Sequence, residues 1–166
     1  MVLWVTGCAA GDSAPAWMLD QSLADAHAWQ PVAPEQDPVP HHRPADVRCP
    51  EGAWYVEAGS LEVETGNCNY AALSQPIPQP VAAGEPIRAV LWHDRLVFEQ
   101  PAEAHVGLWL DRVLLWETTV PIPAEAHLYE VQVDAPADAE QGAALVFHLH
   151  NHGFNSWSLL EVERQQ

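Results

Sequence analysis

No lysine occurs anywhere in the chain, and six arginines are the whole basic complement against 23 acidic residues. The resulting formal charge of −17 excludes nucleic acid as a natural partner, because phosphate affinity comes mainly from Lys and Arg neutralising the backbone. It also disfavours adsorption to anionic membrane surfaces. Long apolar runs are missing as well. None approaches the roughly 20 residues of a membrane-spanning helix, so a membrane is expected to be reached only through a lipid anchor. The phosphate loop, the nucleotide fingerprint and the serine nucleophile elbow are absent. No pair of carboxylates stands out by spacing, so an enzyme is not expected. Cysteine is scarce, at three residues.

What is present divides the 166 residues into three parts. Residues 1–8 read MVLWVTGC, a short apolar run ending in Val5-Thr6-Gly7-Cys8. Residues 9–45 are rich in Ala and Pro, with Pro31, Pro34, Pro38, Pro40 and Pro44 in one short span. Proline fixes φ and lacks a donor, so a semi-extended tether is expected there. A short helix over Ala16–Trp29 is expected within it, with Trp17 and Trp29 available to dock, and His41-His42 are expected to be solvated. Residues 46–166 form the domain proper.

From Tyr70 onward short apolar segments alternate with turn chemistry. Ile87–His93 alternates, and Asp94-Arg95 is expected to turn it into an arm at Leu96–Phe98. His105–Leu110 and Val113–Trp116 flank a tight turn at Asp111-Arg112, and His127–Val133 alternates again. About eight strands with almost no helical periodicity predict an all-β antiparallel sandwich. Cys49 and Cys68 are expected to form a disulfide, since two cysteines at one end of an exported domain pair most simply with each other.

The stretch Ala143–Glu163, AALVFHLHNHGFNSWSLLEVE, carries the richest chemistry. Successive strand side chains point to opposite faces, so Leu145, Phe147 and Leu149 are expected in the core, and Val146, His148 and His150 opposite. By the same alternation Val106, Leu108 and Leu110 face inward, while His105 and Trp109 share the other face with room at Gly107. Aromatic rings beside directional polar groups suit sugar recognition. The candidate ligand residues are Trp92, His105, Trp109, His148, His150, Asn151, Asn155 and Trp157. Alternatively, His148, His150 and His152, completed by His105, His93 or a nearby acid, would hold Zn or Cu(II).

Three resemblances add to this reading. Val5-Thr6-Gly7-Cys8 resembles the bacterial lipoprotein lipobox, which implies lipidation at Cys8 and a place in the cell envelope, as an outer-membrane lipoprotein or secreted protein. Tyr129–Pro136, Gly142–His150 and Trp157–Val162 resemble the galactose-binding-like jelly roll of many bacterial carbohydrate-binding modules. That resemblance implies a glycan ligand held on a sheet face or rim loops. Phe147–Gly153 resembles the paired-histidine strand of α-type carbonic anhydrases, whose other motifs are absent. The expected function is a non-catalytic binding module recognising a glycan. The alternatives are a periplasmic or surface Zn/Cu-binding protein and a structural envelope component.

Overall fold

The computed structural model describes residues 21–165. The expected lipidation site Cys8, and Trp17, lie outside them. Ten strands form two five-stranded antiparallel sheets packed face to face. The strands are β1 (Gln30–Pro31), β2 (Trp54–Glu57), β3 (Ser60–Glu64), β4 (Tyr70–Pro76) and β5 (Pro86–His93), then β6 (Ala102–Leu110), β7 (Val113–Ile122), β8 (His127–Asp134), β9 (Ala144–His150) and β10 (Ser156–Arg164). One sheet runs β1-β4-β9-β6-β7 and the other β2-β3-β10-β5-β8. The all-β sandwich is as the periodicity predicts.

Alternation decides the core. Leu73, Val106, Leu108, Leu145, Phe147 and Leu149 of the first sheet meet Leu61, Val63, Leu91, Trp157 and Leu159 of the second, all buried. The β6–β7 hairpin turns at Asp111 and Arg112, both at positive φ (46° and 70°). That geometry matches the right-handed strand twist, and Asp tolerates it better than most residues. The hairpin is longer than the apolar pattern suggests, because β7 runs on through Thr118 and Thr119 to Ile122.

Three expectations differ from the structure. Leu96–Phe98 is not a hairpin arm: Leu96 makes a single bridge to Ala124, and Val97 and Phe98 stay exposed. Residues 21–29 are not helical. The stretch 21–45 is not a solvated tether either, since Leu23, Trp29 and Val39 are all buried. Trp29 packs edge-on to Phe147 (6.4 Å), as expected of a docking residue. Leu23 donates its N–H to Val162 O (2.8 Å). The tether argument rests on proline, but proline forbids only helix and central strand. A proline-rich chain whose apolar residues fit existing grooves still packs.

Cys49 and Cys68 are disulfide-bonded across 19 residues. Their link fixes the chain just after the docked segment to the start of β4. Replacing both by serine is expected to cost roughly 3 kcal/mol from the loop-closure entropy of the unfolded chain, read as a shift of the urea unfolding curve.

Candidate functional site

The outer face of the first sheet gathers the histidines. Register sets three cross-strand rows: Tyr70, His150, His105 and Thr119; then Ala72, His148, Gly107 and Glu117; then Ser74, Val146, Trp109 and Leu114. Directly opposed residues on one face are in side-chain contact range. Ala72 and Gly107 flank His148 with almost no side-chain bulk, so larger neighbours close over it. The Trp109 ring lies across Gly107, where an added Cβ would sit 2.7 Å from the ring. Trp109 also meets His148 edge-to-face (5.8 Å, 87°).

A segment from Asp37 to Arg43 covers this face. Val39 inserts beside Trp109 and Val146 as a small apolar cluster. Pro40–His42 forms one 3-10 turn, which lays the His42 ring flat on His105 (3.8 Å between centroids, 9° between planes). His42 is also 5.9 Å from His148 and 6.4 Å from His150. The segment is pinned by the Asp37 carboxylate, whose side chain is fully buried. It accepts hydrogen bonds from Tyr70 Oη, from Val39 N (2.9 Å) and from Arg43 Nη1 (3.1 Å).

The electrostatics follow from burial. His148 is 0% exposed, and neither ring nitrogen hydrogen-bonds to another described group. Desolvation, helped by the neighbouring imidazoles, drives its pKa down to about 2. His150, half-buried, is lowered to about 4 for the same reasons. His42 is lowered too, by desolvation first and by His105 and His41 next, against an upward pull from Glu117. His105 Nε2 donates to Glu117 Oε2 (3.1 Å), and its Nδ1 is buried without a hydrogen-bond partner among the described residues.

Between this segment and β7 lies an open groove of about 500 Å³. Its lining includes His41, His42, Trp109, Leu114, Glu117 and Thr119. The alternation of β6 and β9 brings His105, Trp109, His148 and His150 together as expected. His41 is exposed, but His42 is half-buried rather than solvated.

The other expected ligand residues are elsewhere. Trp92 sits on β5, in the opposite sheet. Trp157 points into the core and donates Nε1–H to Asn151 Oδ1 (3.3 Å). Asn151 and Asn155 are buried turn-holders rather than rim ligands. Asn151 Nδ2 donates to Thr65 Oγ1 (2.8 Å), and Asn155 Oδ1 accepts from Val97 N (2.7 Å). His93 is buried in the opposite sheet, 4.5 Å from Trp157.

The expected Zn or Cu(II) set also fails to form. Among the described residues no three His, Cys, Asp or Glu side chains are placed to hold a metal ion. His152 leaves the row after β9 and packs on Phe98 (5.7 Å). The parallel stack of His42 on His105 keeps their in-plane nitrogens from converging.

Sequence reading missed Val39, His42, Glu117 and Thr119. An apolar valine between two prolines, followed by paired histidines, was the available signal for the first two. For Glu117 and Thr119 it was the register counted back from the Asp111-Arg112 turn.

No protein-family model matches the chain, and comparison with curated proteins finds no match. Solved structures match the chain at low similarity. One described as "CBM4 structure and function" is 12% identical (TM-score 0.43), covering 69% of this chain and 76% of that one. "Family 16 Carbohydrate Binding Module-2" is 9% identical (TM-score 0.39), covering 69% and 81%. "Structural analysis of an exo-beta-agarase" is 9% identical (TM-score 0.41), covering 74% of this chain but 23% of that protein.

The lowered imidazoles set the sign of a pH dependence. His148 is near 2 when folded and about 6.5 when unfolded, so in between the unfolded chain binds the extra proton. Its contribution is complete above about pH 6.5 and is lost as pH falls towards 2. A group that stays neutral in the fold removes about 2 kcal/mol between about pH 6.5 and 5. His148→Leu is expected to flatten that decline, and at about pH 7.5 to be neutral or stabilising, because it removes an unpartnered buried polar group. Urea midpoints at the three pH values check both.

Proposed function

We propose that this chain is a non-catalytic binding module for a neutral glycan, received in the groove between residues 38–42 and β7. The observation that carries the reading is the groove's mixed lining. Trp109 and Leu114 supply apolar surface, and His41, His42, Glu117 and Thr119 surround it with donors and acceptors. A sugar ring presents the same two characters, C–H faces and directional hydroxyls, which such a lining matches. The net charge of −17 selects against sulfated or uronic polymers and leaves neutral ones. Among the described residues Glu117 is the single carboxylate in the lining, whereas glycoside hydrolysis generally uses two facing carboxyl groups. That supports binding without cleavage.

Placement outside the cytoplasm belongs to the same proposal and is supported by the Cys49–Cys68 disulfide, a bond that persists in oxidising compartments. Attachment through a lipidated Cys8 would hold the module at a bacterial envelope. Incorporation of a labelled fatty acid in a bacterial host, abolished by Cys8→Ser, checks the attachment. Unlabelled wild type would refute it.

Calorimetric titration of the protein with neutral β-linked and α-linked oligosaccharides tests the ligand. Binding is expected, weakened about tenfold or more by Glu117→Ala, as for loss of one hydrogen bond to a charged group. Full affinity in Glu117→Ala would move the site out of the groove. A panel without any binder would leave a structural envelope role.

A further inference from the structure

The segment over the histidines has a property that the groove reading does not use. Val39 and His42 hold down a face that is otherwise complete, because β4, β9, β6 and β7 hydrogen-bond to one another without it. Beneath it lie Trp109, 5% exposed, and Val146, 5% exposed. Besides the apolar packing of Val39 on Trp109 and Val146, what holds it falls into two unlike polar parts. One is the ion pair and hydrogen bonds of Asp37 with Arg43 and Tyr70, which contain no imidazole. The other is the contact of His42 with His105, His148 and His150, which is almost entirely imidazole.

We propose that residues 38–42 are an acid-released strap: they cover Trp109 and Val146 at neutral pH, and lift from them when the histidine cluster takes up protons. Among the described residues, the titratable and charged groups around the histidine cluster come from the segment and from β4, β6, β7 and β9. His41, Asp37 and Arg43 come from the segment itself and Tyr70 from β4. His105 comes from β6, Glu117 from β7, His148 and His150 from β9, and His152 from just beyond it. Asp37 is already engaged by Arg43 and Tyr70, which leaves Glu117 to balance new positive charge.

A neutral His42 ring stacks on His105 at 3.8 Å without penalty, but a protonated one would be a cation pressed against other imidazoles where water is scarce. Protons therefore bind the lifted state, in which His42 and His150 reach solvent, in preference to the covered one. The lowered His42, His148 and His150 have the sign this requires. Linkage then makes the covered state lose ground as pH falls through the ordinary imidazole range near 6.5. The imidazole-free clamp stays, so lifting is confined to the turn between Asp37 and Arg43. The uncovered face is continuous with the groove and adds Trp109, Val146 and a cluster of cationic rings to it. The inference stands on the strap's contacts and does not depend on what the groove binds.

Amide hydrogen exchange of the full chain at about pH 7.5 and about pH 5, with labelling times scaled for the intrinsic rate, reads the strap directly. Peptides containing residues 38–42 are expected to lose protection about tenfold or more at the lower pH, while those from β6 and β9 keep theirs. His42→Phe keeps a flat ring on His105 without a titratable group and is expected to hold the strap closed at about pH 5. Equal protection of wild type at the two values would overturn the proposal. So would a loss shared equally by strap and strands, which is global unfolding, or lifting that persists undiminished in His42→Phe.

Discussion

One buried carboxylate organises the functional side of this molecule. Asp37 is removed from water, and a lone ionised group there would be costly. It is tolerated because a phenol, a guanidinium and a backbone amide all donate to it. Each donor comes from a different purpose in the fold: Tyr70 opens β4, Arg43 ends the segment, and Val39 N–H turns the chain towards Trp109. Fixing that point places Val39 in its apolar notch and lays His42 on His105. The groove exists because the segment stops there, leaving the Glu117 and Thr119 side of β7 uncovered. Arg43 also lies over the Tyr70 ring, 5.2 Å from its centroid, so the anchor combines charge pairing with ring contact.

The sandwich was legible because period two is a local property. The core faces of β6 and β9 follow from counting alternate residues, and Gly107 announces the space that the Trp109 ring fills. The turn at Asp111-Arg112 was readable for the same reason. Elements without a periodic signature were not. Leu96–Phe98 looks like a strand in isolation, but only Leu96 makes a β-bridge, to Ala124. The docked stretch 21–45 carries too many prolines to show any period, and its few apolar residues become meaningful only against grooves made by strands far along the chain.

The site was half legible. Alternation placed His105, Trp109, His148 and His150 on one face, which is a statement about a single sheet. It could not say which strands share that sheet, and so Trp92 and His93 were grouped with residues from which the core separates them. Nor could it distinguish an asparagine that binds from one that holds a turn. Asn151 and Asn155 satisfy Thr65, His152 and Val97 backbone or hydroxyl groups around Gly153, whose φ of 87° bends the chain out of β9. Burial reverses the meaning of the histidine row. Imidazoles of the row are covered by a segment with imidazoles of its own, and burial rather than a ligand sets the surroundings of His148 and His150.

The order in which these parts are made has a further consequence. Residues 37–43 leave the ribosome before the surface they lie on, which is built from β4, β6, β7 and β9, and β9 ends at His150. More than a hundred residues of sequence separate Val39 from Val146, with which it packs. Contacts across such spans form late, because closing the long loop must precede any gain from the contact. The strap therefore finds its full surface only once β4, β9, β6 and β7 have paired. It precedes those strands in the chain yet depends on them for its surface, whereas they pair without it, and that one-way dependence suits a part proposed to lift without taking the sandwich with it.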